Sequence, residues 1–594
     1  MLAGLTALPL ACGPEQFPGK EGFTDDEIGD ESGSDTATET GTDTETETGD
    51  EECPELVQTG DIKLDSPELL TAIAGVTRIE GSVELTGELG ELTGLECLEE
   101  ITGDVLAHDL DIVDFGGLEK LRRIGGFFYV GQSPNLVDFT GLESLRQISG
   151  QLQVTENVSL KSFTGLDGLV DLGWFLSIVD NPSLQDFDAL AKLPGCHDQV
   201  RIERNASLLS LDGLSGMQGI SGELAVIDNP SLLSAEGLAK VRHIGGSVFF
   251  QLDPLLPSLG LASLQTIDGS LAIVGLPNLL NLDPLINLFG IDGVLFIWNS
   301  GISDVNGLAN VVWLGSDLWI ENNPNLFHID GLLGIGEFKG IVRIDENPSL
   351  VSTFGLANAQ TIERGLSLWG NPNLQELGLD SLQSVGELLR IGFTNNLTQI
   401  GPNQLSVVNG EVLIWNNAAL TDLSGLENLT LVGDRLYLRE NAALTSTSGL
   451  DNLTQVFGEV QIIDNDALNN LNGLGSLELA FEVNVSGNFK LANISGLSGL
   501  QELPGDLLIK ENEALSNLAG MNLLKAVGGD LEVENNFNLE AIPGLQTLDS
   551  VGGSVRITGN KDLPTCIAQG FVDGLGFVGG TETVAGNKAD TCGG

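Results

Sequence analysis

Short runs of alternating apolar and polar residues punctuate this chain from about residue 55 to 565. In "GSDLWIENNPNL" (315–326), Leu318 and Ile320 alternate with Trp319 and Glu321, and the run stops at Asn323-Pro324. Alternation over so few residues predicts a short strand with one face inward. The same opening returns in "GELAVIDNPSL" (222–232), "GEVLIWNNAAL" (410–420), "GEVQIIDNDAL" (458–468), "GDLLIKENEAL" (505–515) and "GDLEVENNFNL" (529–539). Segments such as "GLASLQTIDG" (260–269) lie between. The strand-leading Gly recurs at 222, 246, 269 and 293 and again at 505, 529 and 553, a period of about 24, with about 22 units between Gly60 and Gly553. Such a period predicts a solenoid whose units cannot bury their apolar faces alone. Its strands stack in parallel at roughly 4.8 Å, giving a run of coils on the order of 100 Å long.

Each position in the unit has a physical task. Asn157, Asn181, Asn205 and Asn229 are spaced 24 apart, as are Asn323, Asn347 and Asn371. Asn tolerates the left-handed turn conformation and its amide hydrogen-bonds neighbouring backbone. Stacked by the coils, these amides predict a ladder that satisfies buried turn groups. The ladder also accounts for Asn in sequons such as Asn205-Ala206-Ser207 without glycosylation. Pro182, Pro230, Pro324, Pro348 and Pro372 follow the ladder Asn, fixing φ where no donor is needed. The Gly before the strand allows a tight corner.

If Leu318 and Ile320 face inward, the intervening residues build two outward columns. One reads Phe249, Ala272, Phe296, Trp319, Arg343, Ser367, Arg390, Leu413, Tyr437; the other reads Gln251, Val274, Trp298, Glu321, Asp345, Trp369, Gly392, Trp415, Arg439. Four of the six Trp fall here, with three Arg from a chain short of bases. Nearer the N-terminus the face is plainer: Gln153, Ser177, Arg201, Ala225. Aromatics favour strands and cover one another across them, which is one account of the columns. The other is a recognition strip, because exposed aromatic patches and Trp, Tyr and Arg mark interaction sites. Its candidate ligand-binding residues are Phe249, Phe296, Trp298, Trp319, Arg343, Trp369, Arg390, Trp415, Tyr437 and Arg439.

The repeat resembles the receptor L-domain family, on runs such as "GSLAIVGLPNLLNLDPL" (269–285) and "GSDLWIENNPNL" followed by "GL..L..I" segments. The resemblance spans nearly everything from about 55 to 565. It implies a mainly β, right-handed parallel β-helix or leucine-rich-repeat-like solenoid, of the kind found in receptor ectodomains and some cell-wall proteins. Signalling is not implied, because neither a kinase segment nor a Cys-rich module accompanies the coils.

Composition adjusts this picture in three ways. First, 84 acids against 25 bases give a formal charge of −59, which repels phosphates and excludes nucleic acid as a partner. Second, "MLAGLTALPLACG" is similar to the end of a bacterial lipoprotein signal peptide, with Cys12 as the lipid-bearing residue, although Pro9 stands where a lipobox has Leu. Residues 13–52 are a Thr/Glu-rich acidic tether with almost nothing to bury. The expected order is a signal segment 1–12, tether 13–52, solenoid 53–565 and C-terminal cap 566–594. Third, a solenoid must cap both ends, and the cysteines predict disulfides Cys53–Cys97 and Cys566–Cys592, with Cys196 unpaired and buried.

Catalytic chemistry has little support. His108, His197, His243 and His328 lie in different coils without a shared motif, and acids beside the turn Asn (Asp180, Asp228, Glu346, Glu440, Asp464) read as solvated turn residues. Neither a cofactor nor a metal is expected. The chain is expected to be an exported, non-enzymatic envelope protein, an outer-membrane lipoprotein or cell-surface protein. It would meet the membrane only through its N-terminal lipid and bind a surface glycan or protein partner. The alternatives are a structural spacer or adhesin, and a polysaccharide-active β-helix enzyme.

Overall fold

The computed structural model describes residues 53–401 and 403–589. Cys12, the acidic tether and Cys592 lie outside the described residues.

The alternating segments form one long parallel sheet. It begins at Ile62–Leu64 and Val83–Gly87, passes through Leu318–Glu321 and Val342–Asp345, and ends at Val555–Thr558 and Glu582–Ala585. Its rungs follow chain order, each strand pairing with the same strand of the next coil. Two-residue strands such as Trp313–Leu314 precede the long ones and build short parallel sheets along a second side. On a third side, single 3-10 turns such as Asp330–Leu332 stack in ten of the coils. The molecule from Cys53 onward is therefore a leucine-rich-repeat-like parallel β-solenoid, with a spacing of 23 or 24 residues between most equivalent positions.

The inward alternation holds throughout. Leu318 and Ile320 are fully buried while Trp319 and Glu321 are half-buried. Buried Leu, Ile and Val from every coil merge into one continuous core. In the early coils the core carries a column of Phe rings, Phe115, Phe139, Phe163 and Phe187, with successive centroids 4.9–6.1 Å apart. At the N-terminal end the Cys53–Cys97 disulfide ties the entry segment to the coils, with Cα atoms 5.6 Å apart. At the other end the helix Thr565–Asp573 packs Ala568 and Val572 onto the last coils, and one further rung, Glu582–Ala585, joins the long sheet. Cys566, in that helix, is disulfide-bonded.

The asparagine ladder is present in detail. The Asn181 backbone N–H donates to Asn205 Oδ1 at 3.1 Å, and Asn205 repeats this to Asn229. Each amide nitrogen donates back to a strand carbonyl, as Asn205 does to Ile178 O at 2.9 Å. These Asn are completely buried, so the bonds replace water that is no longer there. That confirms why Asn205 sits in a sequon without being an accessible one. One expectation needs correction. The left-handed residue is not the ladder Asn but the residue before it: Asp180 (φ 57°), Asp228 (φ 54°), Glu346 (φ 56°), Glu440 (φ 53°) and Asp464 (φ 56°). The ladder Asn is retained for its amide, and the acids beside it occupy the turn proper.

The ladder breaks at two places. Asp253 accepts from Asn229, but Leu276 stands at the next position and offers no oxygen. A second run passes from Ser300 through Asn323 and Asn347 to Asn371, and a third from Thr394 to Asn587. The strand-leading Gly is required for a different reason from turn conformation. A Cβ on Gly246 would lie 2.8 Å from the backbone of Gly222, and one on Gly269 would lie 2.6 Å from Gly246. Where Gly follows Gly in successive coils the corners approach too closely for a side chain, whereas other coils place Trp174, Asp198, Ser316 or Arg364 at this position.

Candidate functional site

The outward columns of the long sheet form the candidate site, and backbone pairing sets their order. The first column is in continuous register: Phe249, Ala272, Phe296, Trp319, Arg343, Ser367, Arg390, Leu413 and Tyr437 are partners in successive strands. The second runs Gln251, Val274, Trp298, Glu321, Asp345, and then Trp369, Gly392, Trp415, Arg439. Between those two runs the strand pairing stops at Arg343 and Ser367. There the Asp345 carboxylate reaches across, accepting from Trp369 N at 2.8 Å and from Ser367 Oγ at 2.9 and 3.0 Å. Burial pushes Asp345 above the usual carboxylate range, and these donors pull it back.

All ten candidate side chains are half-buried, because neighbours a strand apart lean on one another. They do not form one uniform strip. Phe296 meets Trp319 edge-to-face at 5.7 Å, and the Arg343 guanidinium lies 5.6 Å from the Trp319 ring centre. Arg343 also pairs with Glu321 at 3.4 Å; burial raises the Glu321 carboxyl while Arg343 lowers it. A second and denser group joins Trp369 and Trp415, 5.7 Å apart at 78°, with Arg390 only 3.6 Å over Trp369 and Arg439 5.2 Å over Trp415. Tyr437 belongs to a third group, accepting from Arg435 Nη1 at 3.1 Å and donating to Glu459 Oε2 at 3.4 Å. Phe249 and Trp298 make no ring or cation contact among the described residues, and stand apart from these groups.

Sequence reading missed one member of the site and, for a residue it had placed in the outward column, the part it plays. Phe393 packs 4.6 Å from Trp369 and 6.0 Å from Trp415. It occupies the left-handed turn position (φ 55°) that most other coils give to Asp, Glu, Asn or Gly, and three give to Gln132, Arg204 and Leu252, so strand alternation could not find it. Its signal was positional: it directly precedes the ladder residue Thr394. A bulky aromatic at positive φ is uncommon and carries backbone strain. Gly392 is the other. A Cβ there would come 2.4 Å from Trp369 Cζ3, so the Trp369 indole lies across the bare glycine.

The indole Nε1 atoms of Trp319 and Trp415 are shielded from solvent and have no acceptor among the described residues. Buried donors without partners are uncommon in folded proteins. The histidines are scattered. His108 lies 2.9 Å from Asp109, His243 2.8 Å from Thr266 and His328 3.5 Å from Asp330, each in its own coil. Cys196 is a free, buried thiol pushed up to about 11 by burial, which leaves little thiolate for nucleophilic chemistry.

Neither a known protein family profile nor a curated protein matches the chain. Solved structures similar to it include an internalin from Listeria monocytogenes, at 17% identity over 57% of this chain and 84% of that one, with a TM-score of 0.26. TLR13 in complex with ssRNA13 aligns at 15% identity over 86% of both chains, TM-score 0.27. The plant peptide hormone receptor RGFR1 in complex with RGF2 aligns at 13% identity over 90% of this chain and 97% of that one, TM-score 0.28. Identities this low concern the fold alone.

Proposed function

We propose that this solenoid is a non-catalytic recognition protein that binds a macromolecular partner through the aromatic and arginine groups between Phe296 and Arg439. The observation that carries the reading is the concentration of four Trp and three Arg on the outward columns of a few successive strands. Trp, Tyr and Arg are enriched among the few residues that carry most of an interface's binding energy. The Cys53–Cys97 disulfide fits an exported protein. Display on a bacterial envelope, with Cys12 as the lipid-bearing residue, is part of the same proposal. So is kinship with receptor L domains.

The test is the triple variant Trp298→Ser, Trp319→Ser, Trp415→Ser in the full chain. The expected result is an unchanged β-sheet circular dichroism signal together with loss of capture on whole cells, envelope extracts and a glycan array. Capture equal to that of the parent retires the strip. A spacer or adhesin acting by shape alone predicts no selective ligand in any of these assays. Turnover of any glycan on a panel would instead favour the enzymatic alternative.

A further inference from the structure

Arg390 differs from every other basic residue of the long sheet. Lys63, Arg201, Arg343, Arg439, Lys510 and Arg556 each have a carboxylate partner within ion-pair distance. Arg390 has no such partner and makes no hydrogen bond among the described residues. Its guanidinium carbon lies over the Trp369 ring, 3.6 Å from the ring centre, a separation that stacks the cation on the indole face. The N–H donors of a guanidinium lie in its plane and point outward from such a stack. The nearest acid in the column, Asp345, has its oxygens engaged by Ser367 Oγ and Trp369 N. Half-burial pulls the Arg390 guanidinium below its ordinary range, Asp345 raises it again, and Arg343 adds to the fall. In a chain of net charge −59 with 84 acids, this cation on the candidate surface has no carboxylate within ion-pair distance among the described residues, and Asp345 acts on it only from farther off.

We infer that Arg390 is the anchor of the strip, and that its in-plane donors take a carboxylate from a protein partner, an Asp or Glu side chain on an extended peptide segment, while Trp369, Phe393 and Trp415 pack against the apolar neighbours of that acid. This rests on the strip being a recognition surface. Two observations favour a peptide over an acidic glycan. Stacking on a sugar needs a bare indole face, and the two indoles beside Arg390, Trp369 and Trp415, each have an arginine over the ring. A polyanion also meets the repulsion of the whole chain at every charge, whereas one carboxylate beside one unpaired guanidinium meets it once. A bidentate carboxylate–guanidinium contact in a partly desolvated site is among the stronger polar interactions available.

The probe is a phage-displayed library of random twelve-residue peptides panned on the immobilised full chain. Enriched peptides are expected to share an Asp or Glu flanked by apolar residues. Their affinity should fall at least tenfold for Arg390→Gln, less for Arg390→Lys, and at least tenfold when the peptide's acid becomes its amide. Combining Arg390→Gln with the amide peptide should add little further loss. Enriched peptides without a conserved acid, equal affinity for Arg390→Gln, or no enrichment above background each overturn the inference. Arg390-dependent capture of acidic glycans on an array overturns the choice of peptide. Peptides lost by the triple Trp variant but indifferent to Arg390→Gln leave the strip standing and remove only its anchor.

Discussion

Asp253 occupies a ladder position with the wrong terminal group. Its Oδ1 accepts from Asn229 N at 2.7 Å and from Asn229 Nδ2 at 3.3 Å, but its Oδ2 is buried without a partner among the described residues. Where other coils have an Asn, the amide nitrogen donates to the carbonyl 26 or 27 residues back; the equivalent atom here is Val226 O. A carboxylate cannot donate, and its second oxygen takes the donor's place. Burial pushes the Asp253 pKa up to about 7, the Asn229 donors oppose it, and the charge of Asp228 adds to the rise. Because the folded value lies above the unfolded one near 4, the stabilising protonated form is complete below about pH 4. It is lost as pH rises through about 7. A shift of that size corresponds to roughly 4 kcal/mol. Denaturant titrations at pH 5 and pH 8 should show the parent losing roughly 2–3 kcal/mol more stability over this interval than Asp253→Asn, which restores the donor. Parallel pH profiles for the two proteins would show that Asp253 is satisfied in some other way.

At the scale of the element, one coil depends on its neighbours through the ladder. Asn347 Oδ1 accepts from Asn323 N at 3.0 Å, and its Nδ2 donates to Ile320 O at 2.8 Å and Asp345 O at 3.0 Å. Asn347→Ala removes these partners from Asn323 N and Ile320 O in a site closed to water, while Asp345 O keeps the Asn322 N–H. The expected cost is about 2–4 kcal/mol in chemical denaturation; a change below about 0.5 kcal/mol would mean the turn is held by its strands alone. This element was largely legible in the sequence. A period of 2 within a period of 24 fixed which side chains point inward, and Leu318, Ile320 and Trp319 lie where alternation places them. The 24-residue spacing of the Asn revealed the ladder, because only stacked amides need that repeat. The candidate site was legible only in part. Alternation lists the outward residues of a strand but not how far each leans. It therefore could not separate the Phe296–Trp319–Arg343 group from the Trp369–Trp415 group, nor show Arg390 stacked on an indole. Phe393 lay off the strand and beyond the reach of the pattern.

Over the whole solenoid, each coil touches only the coils beside it, so damage at one end should stay there. The Cys53–Cys97 bond closes a span of 44 residues, for which loop-entropy estimates give about 4 kcal/mol. In the double variant Cys53→Ser, Cys97→Ser, hydrogen exchange should accelerate at least tenfold in the strands up to Val105–Leu110 and remain unchanged beyond Leu152–Thr155. Faster exchange in every coil would reveal a single cooperative unit instead.

The even stacking of the long sheet also sets a vernier against its visitors. Side chains in one column repeat at the strand spacing, roughly 4.8 Å, whereas an extended peptide presents same-side residues every ~6.8 Å. A peptide climbing the columns slips out of phase after a rung or two and matches again only after about five of its own steps. Uniform rungs thus suit a short epitope seized at one point, and the register of the sheet itself discourages long ligands from being read residue by residue.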